Sequence, residues 1–164
     1  MAAPRRDRER GQVAVYAVVL FPLLLLVLAL VLAVGSLEDL RSRLRAQLDM
    51  AALTATQAID LASLARGGRP ALVPAGADAL ARQYLAANVA ALGGQVLAPP
   101  DAVARAAEVA VTNTAGPDPL TGLADSAPTV SLRVRVPVRV PLLGLAGLST
   151  TVELTLTGSA AARS

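Results

Sequence analysis

The sequence predicts an α+β chain with a long N-terminal helix, a second shorter helix, and an antiparallel sheet of three or four strands. Three observations predict it. Residues 12–37 run 26 positions without a charge. Beyond them, Leu37, Leu40, Leu44, Leu48, Ala51, Ala55 and Ala58 recur at spacings of three and four, one face of a helix. Near the C-terminus, Val130, Leu132, Val134, Val136, Val138 and Val140 alternate with Ser131, Arg133, Arg135, Pro137 and Arg139, the period of a strand with one apolar face.

The first element is a membrane-spanning helix. At about 1.5 Å per residue, residues 12–37 rise roughly 39 Å, against a hydrocarbon core of roughly 30 Å. Seventeen of them are Leu, Val or Phe, each favouring insertion by roughly 0.3–0.6 kcal/mol. Pro22 is costly inside a soluble helix but is tolerated as a kink within a bilayer. A cleavable secretory signal has an apolar region of only about 7–15 residues. This run is longer, although Ala33-Val34-Gly35 has the small residues of a cleavage site. A buried core helix would need more surrounding protein than so short a chain supplies.

On the N-terminal side, residues 1–11 form a short tail in which Arg5, Arg6, Arg8 and Arg10 are offset by Asp7 and Glu9. The far flank carries Glu38 and Asp39, then Arg41, Arg43 and Arg45. The basic balance and the small tail predict a cytoplasmic N-terminus and an extracytoplasmic C-terminal domain in a single-pass arrangement. The helix continues as an amphipathic stalk over residues 38–66, with Gly67-Gly68 and Arg69-Pro70 to terminate it near Arg66. Residues 67–164 then make the α+β domain.

In that domain the spacing of Leu80, Tyr84, Leu85, Val89 and Leu92 predicts a helix over 77–92, capped by Gly93-Gly94. Ala107, Val109 and Val111 mark a short strand. A turn-rich stretch, 113–128, follows, and then the long Val strand. Pro137 and Pro141 place that strand at an edge or a bulge. After a bend at 142–148, Val152, Leu154 and Leu156 alternate with Thr151, Glu153, Thr155 and Thr157, so the last two strands pair antiparallel. That pairing sets Arg133 or Arg135 near Glu153 on the wet face. The apolar face needs a cover, for which the second helix and the upper stalk are available.

Composition narrows the chemistry. Cys and His are both absent, which removes disulfides, thiolate nucleophiles, the commonest general base and the commonest metal ligand. Net charge is +3, and the only aromatic residues are Tyr16, Phe21 and Tyr84, too few for base stacking, so no nucleic-acid partner is expected. The carboxylates are scattered and form no catalytic pair. Asp118 and Asp125 lack the dense spacing of a calcium loop, and turn chemistry explains both better. No phosphate loop, nucleophile elbow or metal motif occurs. No enzyme activity and no cofactor are predicted.

Two motifs carry a resemblance. The first is Gly11 to Val27, GQVAVYAVVLFPLLLLV: basic residues, then Gly, a polar residue and an apolar helix containing Pro. The second runs from Leu44 through Asp49 to Ala51, Ala52 and Leu53. Together they make roughly the first third of this chain resemble the N-terminus of TadE/TadG-like (Flp/Tad pilus-assembly) proteins. The resemblance implies a pilin-like fold and a single-pass protein of the inner (cytoplasmic) membrane. Its role would be that of a minor pilin-like (pseudopilin) subunit or an assembly component of a Tad/Flp pilus or related secretion system. It further implies other pilin-like subunits and Tad assembly-platform proteins as partners. A prepilin peptidase is implied too, cutting after Gly11 to leave Gln12 first. Most such substrates carry Glu where this chain has Tyr16. Pro22, Leu44, Asp49, Ala51, Ala52 and Leu53 are the implied helix-packing and kink positions. A major Flp subunit is far shorter than this chain. The rival reading is a membrane-tethered envelope interaction module unrelated to pili.

Overall fold

The computed structural model describes residues 6–68 and 70–162, with side chains from Tyr16 onward. The fold is α+β. Helix α1, Arg6–Ala55, is one continuous element of 50 residues with Pro22 inside it. It starts within the stretch expected to be a tail and ends at Ala55, short of the expected end near Arg66.

The early end has a local cause. Thr56 turns its hydroxyl onto the Leu53 carbonyl at 2.7 Å, and its amide is shared between the carbonyls of Ala52 and Leu53. Such side-chain bonds compete with helix propagation. The chain is then drawn into pairing with 71–73: Asp60 N donates to Ala71 O at 2.8 Å, Val73 N donates to Ala58 O at 2.7 Å, and Ile59 bridges Leu72. Asp60 next caps a new helix, α2 (Leu61–Ala65), its Oδ1 accepting from the amides of Ala62 and Ser63 at 3.0 Å each.

The remaining elements are α3 (Pro74–Ala91), α4 (Pro100–Ala106), and strands β1 (Glu108–Thr112), β2 (Gly116–Pro117), β3 (Ala124–Asp125), β4 (Thr129–Arg139) and β5 (Thr151–Ala161). Helix α3 opens with Pro74 in its first turn, where the missing N–H costs nothing. It is followed by Gly93 at φ +63°, a left-handed conformation that favours glycine.

Contacts divide the chain into two compact units. One contains Glu38–Arg139 with the chain from Thr151; the other contains residues up to Leu37 with Val140–Thr150. In the first, an antiparallel sheet has the order β1-β4-β5, and β2 and β3 form a separate two-stranded ribbon. Strand β4 pairs with β5 along its whole length, Thr129 opposite Ala161 through Arg139 opposite Thr151. Strand β1 covers only Thr129 to Arg133.

This arrangement explains a proline in a central strand. The Pro137 carbonyl accepts from Leu97 N at 2.9 Å, so it faces away from β5, and the neighbouring nitrogen does too. No β4–β5 bond is lost, and β1 has already ended on that side. The expected Arg133 or Arg135 partnership with Glu153 is not formed. Register sets Pro137 opposite Glu153 and Thr157 opposite Arg133, and Arg133 instead reaches Glu108 on β1 at 3.5 Å.

The core lies on the even face of β4, where Val130, Leu132, Val134, Val136 and Val138 are all at or below 1% exposure. Leu40, Leu44, Leu48, Ala51, Ala52 and Ala55 of α1 are buried, as are Ala77, Ala81, Leu85 and Val89 of α3. The closest approach is at Gly158 of β5. A Cβ there would stand 2.8 Å from both the carbonyl carbon and the Cβ of Leu48. The odd face, expected to be wet, is dry over its first half, because Thr129 and Ser131 are buried as well.

Candidate functional site

The most exposed feature of the molecule is apolar. From Tyr16 to Val34 every side chain of α1 is exposed except Ala29, half-buried, and Ala33, buried. A helix hydrophobic all round has its ordinary solvent in lipid. Tyr16–Ala55 is long and apolar enough to contain a membrane span. Tyr16 to Leu37 alone rises roughly 33 Å, the thickness of a hydrocarbon core. The first charges after it are Glu38, paired with Arg41 at 3.6 Å, and Asp39, paired with Arg43 at 2.9 Å. Those exposed pairs contribute little beyond marking where the helix becomes polar.

Grouped with this helix is the Val140–Thr150 connection between β4 and β5. A 3₁₀ helix occupies Pro141–Ala146 and ends on Gly147 at φ +71°. Val140 N donates to Thr150 O at 2.8 Å, and Leu148 N to Leu143 O at 3.1 Å, so the loop closes on itself. Leu145 is 66% exposed and Leu148 55%.

The residues singled out from sequence fall into two sets. Leu44, Ala51 and Ala52 are buried in the sheet-bearing unit, whereas Asp49 and Leu53 are exposed beside them. Pro22 lies inside the exposed apolar length of α1, among Leu20, Phe21, Leu23 and Leu24. Gly11 and Gln12 lie on the helical backbone, and the Gln12 side chain falls outside the described residues.

Polar chemistry concentrates under the loop that covers the odd face of β4. Asp118 is 4% exposed. Its Oδ1 accepts from Thr121 N at 2.7 Å, Leu120 N at 2.9 Å and Thr121 Oγ1 at 3.0 Å. Its Oδ2 and the Ser131 Oγ are both buried without a well-formed partner elsewhere, and the Ser131 hydroxyl acts on the carboxylate. Burial alone would raise the Asp118 pKa; the Ser131 hydroxyl beside it and the bonds from Thr121 and Leu120 outweigh that and hold the carboxyl below its ordinary value. Arg133 donates to the Leu120 carbonyl and clamps the same turn. Asp125 Oδ1 accepts from Ala127 N at 3.1 Å. Both acids are therefore spent on turns.

A depression lined by Asn113, Thr114, Ser126, Ala127 and Ala162 has no ionisable side chain in its lining among the described residues. Among the described residues no three Asp or Glu gather as a metal-binding set. What the described residues offer a partner is apolar surface.

That surface is where the comparison with known families falls. Residues 11–58 match the TadE/G-like Flp pilus-assembly family. The TadE/G-like segment covers the described apolar length of α1 and stops just past its end at Ala55, leaving the sheet outside the match. No curated protein and no solved structure matches the chain. The TadE/G-like match and a helix able to span a membrane together support a pilus-assembly component anchored in a membrane. The family is one of structural and assembly proteins rather than enzymes. Sequence reasoning named Ala33 only within a small-residue cleavage candidate and did not single out Leu145 or Leu148; the signal for the last two was an uncharged Leu/Gly run where a hairpin connection is ordinarily polar.

Proposed function

We propose that this chain is a minor pilin-like subunit of a Tad/Flp-type pilus or a related secretion assembly. It is held in the cytoplasmic membrane by one span, with its N-terminus in the cytoplasm. The observation that carries the reading is α1: apolar and, but for Ala29 and Ala33, exposed from Tyr16 to Val34, then, in the same unbroken helix, buried on one stripe from Leu40 to Ala55. Such a helix can reside in lipid and can exchange lipid for similar helices when subunits assemble. Asp49 and Leu53, exposed in the matched segment, are the surface offered to other pilin-like subunits or the assembly platform.

The test is to express the full chain in a cell that builds a Tad pilus, shear the filaments and analyse them by mass spectrometry. Recovery in the filaments, with the membrane-extracted protein shortened by residues 1–11, supports a minor pilin cut by a prepilin peptidase. Retention in the membrane at full mass, cross-linked to platform proteins through a photoreactive group at Asp49, makes it a permanent assembly factor. Absence from both, with loss of residues through Gly35, overturns the anchored reading.

A further inference from the structure

We propose that the Val140–Thr150 connection is a second membrane contact, its exposed Leu145 and Leu148 entering the lipid interface beside the C-terminal end of the α1 span. The proposal rests on the reading of α1 as a span. Ala33 is 1% exposed although Val31, Leu32 and Val34 around it are 61%, 55% and 53% exposed. Something covers the helix at that point, and the one other stretch in this compact unit is Val140–Thr150. Ala33 precedes Leu37 by about one helical turn, roughly 6 Å along the axis, so whatever covers it lies below the level of Glu38, inside the boundary of the span.

The composition of the connection suits that depth. No charged residue stands between Arg139 and Glu153, and Leu142, Leu143, Leu145 and Leu148 fall within seven positions. Non-helical backbone is costly in lipid unless its polar groups are satisfied. Here Val140 N, Leu143 N, Gly147 N and Leu148 N all donate to carbonyls of the connection itself. An apolar surface at this depth meets lipid before it meets another copy of the chain, which makes the bilayer the occupant.

The absence of cysteine makes the test clean, since each substitution creates one labelling site. Four full-length variants, Leu145→Cys, Leu148→Cys, Leu24→Cys and Gln83→Cys, carry an NBD fluorophore in vesicles of phosphatidylcholine and phosphatidylglycerol. The expected result is blue-shifted emission at 145 and 148 relative to 83, quenched best by lipids with a nitroxide near the headgroup. Position 24 is quenched best by a nitroxide deep in the acyl chain. Water-like emission at both 145 and 148, with 24 still in lipid, overturns the proposal and leaves the span standing. Water-like emission at 24 removes the span and the proposal with it. A blue shift at 145 and 148 that grows with protein-to-lipid ratio assigns the cover to a second copy, and that also overturns it.

Discussion

Gly158 of β5 lies against α1 with no room for a side chain. An added methyl would stand 2.8 Å from Leu48 carbon atoms and 2.9 Å from Asp49 N, mostly backbone that cannot swing aside. Gly158→Ala should destabilise the protein by about 1–3 kcal/mol through overpacking, read as a lowered melting temperature in detergent. Asp118 makes a pH prediction. Its pKa is depressed in the folded state, so its contribution is fully present above the unfolded value of about 3.9 and is lost as pH falls through the lower folded value. Stability of the parent chain should fall more steeply below about pH 4 than that of Asp118→Asn. At neutral pH the variant should be weaker by about 1–3 kcal/mol, having exchanged a charged acceptor for an amide. Equal acid slopes in the two proteins would remove Asp118 from the account. Asn113 makes a third, independent tie: its side chain accepts from Leu72 N at 2.7 Å and donates to Leu72 O at 2.9 Å, joining residues 41 apart in sequence.

At the scale of elements, the long strands were legible because one physical demand wrote them. A face that must stay dry leaves Val and Leu at every second position, and β4 and β5 sit where that alternation does. Helix α3 was legible for the same reason at the helical period. The end of α1 was not, because the Ala/Thr-rich run after Ala51 is compatible with more helix. What ends it is the Thr56 hydroxyl turned back onto the Leu53 carbonyl together with pairing to 71–73, and the second is a contact invisible to any local window. Helix α4 was missed because only Val103 and Ala104 are buried in it, too few to show a period. Its signals were the terminal ones: Pro100 at the start, Asp101 in the first turn and Arg105 in the last. The β2–β3 ribbon, two residues a strand, has no pattern to read. The buried stripe of α1 yields a prediction of its own. Leu48→Ala should cost about 2–5 kcal/mol, because Leu48 is 0% exposed and tightly surrounded; denaturant titration in micelles measures it.

For the whole molecule, the membrane anchor was plain in the sequence because a bilayer sets a length and bans charge, two demands that leave a continuous record. Placing an arginine in that record tests it. Leu25→Arg should oppose insertion by about 2.5–3.5 kcal/mol, raising the fraction released by carbonate extraction of membranes, whereas Leu53→Arg on the exposed surface of the sheet-bearing unit should leave that fraction unchanged. The surface proposed for partners was less legible: Asp49 and Leu53 share a helix with Leu48 and Ala52, and only the fold separates those turned outward from those turned in. The meeting of Gly158 with Leu48 has one more consequence. Where two main chains touch with no side chain between them, there is nothing soft to deform, and α1 is notched against β5 rather than greased along it. A tug on the helix is therefore borne by the strand at a fixed point, and the two part before either one slips.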